Sequence, residues 1–305
     1  LLLPFALPPA EHAKDLLASL DAPALAMLLA RAQPGHRIDA DPFAAALPHE
    51  VLLAGTTTDN SPPVARALMQ RIAPGAADGY WFVLQPAHFH VARDHLVLTD
   101  PRQLDLDDAS ARTLFDAAKP LFDELGHEVR YGNPHHWFLR ADDWHDLRTC
   151  TPDAATGHNV DVWLPRGTEA RSWRRLHNEV QMLWHMHPLN EQRDMRGQRR
   201  VNALWLWGGA GAQDAAPHAY AGMLAGMPSA GMPRFDDALA ASALAGDWGS
   251  WLAAMQEVDT RQAAPLLADL KSGKLTQVTL QLTDAQRVRE WQLSRAGMRK
   301  FWRTP

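Results

Sequence analysis

A single cysteine, Cys150, in 305 residues leaves no partner for an internal disulfide. Nothing therefore calls for an oxidising compartment, and the cytoplasm is the expected location. The thiol reads as a small buried side chain, because a nucleophile would need a histidine beside it in space. A basic excess is also missing: the formal net charge of -5 excludes a general nucleic-acid binder, which must neutralise phosphates. Long apolar runs are absent. Leu1 to Pro9 and Ala22 to Ala32 are the longest, and proline or polar residues interrupt both, so no membrane partner is expected. The chain opens without a methionine or a basic leader, and no signal peptide is expected. Missing too are a Gly-x-Ser-x-Gly elbow, a Walker loop, a zinc-protease helix, a paired Cys-x-x-Cys and any internal repeat.

What is present is an alternation of helical and strand-like patterns. Leu1 to Leu7 reads as a buried opening strand, and leucines at helical spacing follow over 11–20 and 23–32, with Pro23 fitting a first helical turn. From Gly79 the period shortens: 80–84, 88–91 and 96–98 predict an antiparallel meander. Asp105 to Gly126 returns to helix, with a kink expected at Pro120, and 129–131 and 137–140 are strand-like. The second half predicts a helix over 169–187, an apolar strand over 201–207 closed by Gly208, Gly209 and Gly211, a helix over 248–270, and paired strands over 275–282 and 288–293. Helices between buried strands imply a central sheet covered on both faces. The expected division is an α/β core of 1–75 and 160–305 with an antiparallel α+β lobe over 76–150, and 149–168 as the linker.

Candidate chemistry is sparse. His88 and His90 lie two apart in a predicted strand and would face one side, but no third metal ligand can be named. The glycines after the 201–207 strand could present N–H groups to a phosphate, or simply make a tight turn. Arg171, Arg174, Arg175, Arg193, Arg196, Arg199 and Arg200 flank Asn178, Glu179 and the turn from His187 to Asn190. Guanidinium forks suit carboxylate or phosphate, so this is the best anion site, with solvated surface charge as the plainer reading. The twelve tryptophans read as core and interface material.

Residues 177–197 (HNEVQMLWHMHPLNEQRDMRG) and 201–210 (VNALWLWGGA), with 79–82, Pro86 to His88 and a closing 300–303, resemble the RpfE-type regulatory proteins, often called phosphoglycerate-mutase-like. A more distant resemblance joins His187, Asn190, Arg193, Gly197, Asn202, Gly208 and Gly209 to the archaeal-type cofactor-independent phosphoglycerate mutases. It implies an alkaline-phosphatase-like fold and a ligand-binding role for Asn178, Glu179, His187, Asn190, Arg193, Asn202, Gly208 and Gly209. Those mutases use two divalent metals and a serine or threonine that carries the phosphoryl group. Here Leu3 to Ala6 stands where an Asp-Gly metal motif is expected, Gln281 to Asp284 lacks the Asp-His-Ser/Thr signature, and Trp251 stands in a histidine's place.

The resemblance therefore implies a mutase-like scaffold without mutase chemistry or cofactor, binding a phosphorylated small molecule or a protein partner. The rival reading is a phosphomutase or phosphatase whose Mn²⁺ or Mg²⁺ would be held among Asp39, Asp41, His88, His90, Asp94 and His95. A third is an interaction protein with a surface of exposed tryptophans.

Overall fold

Seven consecutive buried residues, Trp81–Ala87, form a strand that must be paired along both edges and covered on both faces, because no backbone group there meets water. His136–Arg140 and Ala203–Ala210 supply the edges, both antiparallel, and Val129–Asn133 extends the sheet beyond His136–Arg140. The helices Asp108–Glu124 and Ala170–His185 bring Leu114, Phe115, Phe122, Leu176, Val180 and Trp184 into one core with Phe82, Trp137 and Leu206. The Trp184 indole donates to the Leu114 carbonyl at 3.2 Å, so the large ring is buried without an orphaned N–H.

This computed structural model describes residues 1–55, 59–75, 78–215, 217–227 and 232–299. The closing 300–303 motif lies outside them. Two units are present, Leu1–Pro42 with Pro233–Pro305, and Phe43–Met232; these boundaries differ from the partition expected at 75, 76, 150 and 160.

The discontinuous unit has its own four-stranded sheet, in the order Leu2–Leu3, Gln277–Thr283, Arg287–Ser294, Gln33–Asp39. The first pair is parallel and the rest antiparallel. Pro23 occupies the first turn of the helix Pro23–Arg31, where a missing N–H costs nothing. The next two donors, Ala24 and Leu25 N–H, are taken by the Asp259 carboxylate at 3.2 and 2.6 Å, an anion at the positive end of a helix. Asp259 opens the π-helical turn Asp259–Ala263 between the helices Trp248–Val258 and Ala264–Ser272.

The mixed α/β architecture agrees with the sequence patterns, and three details do not. The strands expected in one central sheet fall into two, because the 203–210 strand is needed to close an edge of Trp81–Ala87. The meander reduces to a hairpin of Phe89–Ala92 and His95–Leu98, since Trp81–Ala87 pairs elsewhere. Gly208 and Gly209 lie inside the Ala203–Ala210 strand rather than in a turn after it. Among the described residues no helix is long and apolar enough to cross a membrane.

Candidate functional site

The segment from Ala170 to Ala210 is a helix, a tight connection capped by His187, the short helix Pro188–Met195, and the buried strand. His187 Nδ1 accepts from Leu189 N–H at 3.1 Å, closing the helix start that Pro188 favours. Asn190 is fully buried. Its amide donates to the carbonyls of Trp184 and Val201 at 2.8 and 2.9 Å, and its oxygen accepts from Val201 N–H at 2.9 Å. Arg193 is buried as well, and each of its three nitrogens donates to a main-chain carbonyl: Nε to Arg199 at 2.8 Å, Nη1 to Asp105 at 3.2 Å, and Nη2 to Leu104. Asn202 clasps the backbone of Phe89, accepting its N–H at 2.7 Å and donating to its carbonyl at 2.8 Å.

These polar side chains therefore replace secondary-structure hydrogen bonds where helix, loop and strand meet. Asn178 is exposed, and Glu179 is half-exposed and pairs with Arg175 at 3.2 Å. Gly208 has φ +69° and donates its N–H to Ser61 Oγ at 2.8 Å. In the pairing with Trp81–Ala87 the register shifts between Trp81 and Val83, so Gly208 and Gly209 together oppose Phe82, a β-bulge. A Cβ on Gly209 would lie 2.6 Å from Phe82 Cε1. The expected phosphate-cradling turn is thus a packed bulge, and its glycines answer to Phe82 and Val64.

In the discontinuous unit, the end of the Leu2–Leu3 strand is where the resemblance calls for metal ligands. Trp251 is fully buried there and donates its indole N–H to the Phe5 carbonyl at 2.8 Å. Phe5 itself has φ +57°, a conformation in which a side chain is strained. The nearby carboxylates are engaged: Asp236, whose N–H meets the Leu2 carbonyl, bonds Arg261 at 2.7 Å and Gln262 at 2.8 Å, and Asp284 bonds Arg287. An indole, a main-chain carbonyl and two arginine-paired carboxylates do not fit a pair of divalent cations.

Most of the rival ligands hold hydrogen-bond partners, although a histidine bonded through Nδ1 keeps Nε2 for a cation. Asp39 bonds Arg289 at 2.6 Å, Asp94 bonds His95 at 2.9 Å, His88 Nδ1 donates to the Arg200 carbonyl at 2.8 Å, and His90 Nδ1 lies 3.1 Å from Thr99 Oγ1. Among the described residues no three His, Cys, Asp or Glu gather as a metal site.

A buried polar network escaped the sequence reading. Glu50 accepts from Tyr220 O–H at 2.6 Å, Thr151 O–H at 2.7 Å and Leu47 N–H at 2.6 Å. Burial, reinforced by Asp153, pushes its carboxyl above the usual range, while the three donors pull it down. Arg102 bridges Asp100 and Asp153 alongside. Glu50, Thr151 and Tyr220 are all enclosed, and their hydrogen bonds tie three segments together. The available signal was Pro48 two residues before Glu50, a helix start with an acid at its third position. Half-buried Cys150 has its thiol pushed up to about 11 by desolvation, which keeps it a thiol. Among the described tryptophans Trp248 and Trp291 are half-exposed and the rest are buried, and Trp302 lies outside the described residues.

No family model matches the chain. Over 102 residues it is 28% identical to the 2,3-bisphosphoglycerate-independent phosphoglycerate mutases of Methanosarcina mazei and Methanosarcina acetivorans, which is 30% of this chain and 26% of each relative. The Methanosarcina barkeri enzyme is 29% identical over 90 residues, 28% of this chain and 23% of the relative. The match thus spans about a quarter of the length of these curated relatives. Among solved structures, a cofactor-independent phosphoglycerate mutase from Thermoplasma acidophilum aligns with TM-score 0.38 and 14% identity, covering 96% of this chain and 88% of that one. The PH0037 protein of Pyrococcus horikoshii aligns with TM-score 0.47 and 11% identity, covering 96% and 87%. The chain is remotely similar in sequence to these mutases.

Proposed function

We propose that this chain is a regulatory protein of RpfE type on an alkaline-phosphatase-like scaffold, one that binds a small anionic metabolite or a protein partner in place of two-metal phosphoryl transfer. The observation that carries the reading is Trp251, whose buried indole is bonded to the Phe5 carbonyl at the strand end where a metal ligand would be required. An indole N–H donates only and cannot ligate a cation. The paired states of Asp236 and Asp284 support the same reading, because each would have to surrender an arginine before it could serve a metal.

The test is interconversion of 3- and 2-phosphoglycerate by purified protein, with and without Mn²⁺, against a metal-stripped control. The expected result is no turnover in any arm. Metal-dependent turnover sinks the proposal and restores the rival reading of a working phosphomutase.

A further inference from the structure

The helix Ala170–His185 buries Trp173, Leu176, Val180 and Trp184 on one side. Opposite them, the spacing of about 3.6 residues per turn aligns Arg171, Arg175, Asn178, Met182 and Met186 in one outward stripe. Met182 and Met186 are 73% and 80% exposed, and Met195, at the end of the following short helix, is 79% exposed. Exposed thioethers on neighbouring turns form an adaptable apolar contact surface. The charge is as uneven as the hydrophobicity. Arg171, Arg174 and Arg175 crowd the first half of the helix with Glu179 as the only acid along it, in a chain whose net charge is -5. Arg175 meets Glu179 at 3.2 Å, whereas Arg171 and Arg174, at the positive end of the helix, oppose its dipole.

We infer that this stripe docks an amphipathic helix of another protein, whose carboxylates meet Arg171 and Arg175 and whose apolar side chains meet Met182 and Met186. The inference deepens the regulatory reading above and rests on it for the need of a partner. Charge complementarity selects the occupant. A second copy packed antiparallel would set guanidinium groups against thioethers and match neither half. A lipid surface would demand a wider apolar face than these methionines offer, and an acidic chain is repelled by anionic headgroups.

The probe is a fluorescein-labelled designed helix of about 18 residues, long enough to span the stripe, with glutamates facing one half and leucines the other, made in both sequence polarities. Fluorescence polarisation is expected to show saturable binding by one polarity. Binding should weaken about tenfold or more with Met182→Asp, and equally with the double variant Arg171→Glu and Arg175→Glu. A peptide carrying lysine for glutamate should prefer that double variant, a swap that a purely structural role for the arginines would not produce. Both variants lie on the exposed face, and unchanged melting temperatures confirm that they fold.

Absence of saturable binding overturns the inference, as does equal binding of glutamate and lysine peptides. Cosedimentation with phosphatidylcholine–phosphatidylserine vesicles, or dimerisation in light scattering, also overturns it if lost in the same variants. The turnover assay on the same preparation separates the two proposals: peptide binding with metal-dependent turnover sinks only the non-catalytic reading, and inactivity without binding sinks only the docking face.

Discussion

The polar groups of the 187–202 segment and those at the end of the Leu2–Leu3 strand have met opposite fates. In the first region Asn190, Arg193 and Asn202 are present in the mutase-like pattern and are committed to main-chain carbonyls and N–H groups. In the second, the ligating side chains of that pattern are missing, and a tryptophan fills the space with its one donor on Phe5. A residue can thus match a family pattern because the scaffold needs it, whereas a ligand with no structural duty can be replaced by whatever packs. The comparison teaches that shared polar residues in this chain report on architecture first.

It can be broken most forcefully at Asn190. Asn190→Leu leaves Val201 N–H and two carbonyls unpaired in the interior and is expected to destabilise the protein by about 4 kcal/mol, read as a shift in denaturant midpoint. A loss below about 1 kcal/mol would show that the segment does not hold the fold and would reopen it as a ligand site.

Acid is the next lever, and it acts on the contiguous unit. Burial lowers His136 and His49 to about 3 and His177 to about 4, with Arg102 contributing at His49. The unfolded chain takes up these protons near pH 6.5 and the folded chain resists them. Their stabilisation is therefore full above about 6.5 and is lost progressively as pH falls through about 4 to about 3. Glu50, raised by burial, acts in reverse: it favours the fold at low pH and loses that contribution as pH climbs above its ordinary value of 4.5. Melting temperature should fall below pH 6.5 because three groups oppose one. His177→Phe, which keeps the tilted ring contacts with Phe89 and Trp173, should flatten the slope.

Trp251→Phe removes the indole bond while keeping most of the ring and should cost about 2 kcal/mol, without creating metal affinity in a calorimetric titration with Mn²⁺. Gly209→Ala forces its methyl group against Phe82 and should cost about 2 kcal/mol. Asn178→Ala, on the exposed face, should stay within about 0.5 kcal/mol and marks the floor of the series.

Periodicity made the helices at 23–31, 108–124, 170–185 and 248–258 and the 277–283/287–294 hairpin legible, because each has one apolar face that the core must take. It could not assign strands to sheets. Trp81–Ala87 and Ala203–Ala210 are apolar on both faces, and such runs carry no alternation to say which neighbour they pair with. The predicted anion site included Arg193, and sequence shows that arginine's charge but not the carbonyls of Leu104 and Asp105 that occupy it. Glu50 carried a helix-start signal, but its network was invisible because its partners, Thr151 and Tyr220, lie 101 and 170 residues away.

The Leu2–Leu3 strand finds Gln281 and Leu282 only across nearly the whole described chain. As the polypeptide emerges from a ribosome, the stretch 43–232 has every sheet partner it requires in hand, whereas the opening segment must wait for the 277–294 hairpin. Loop-closure entropy makes such late pairings slow. The first forty residues therefore spend translation with their strand edges unmet, the interval in which a nascent chain is most open to chaperones and to misassembly.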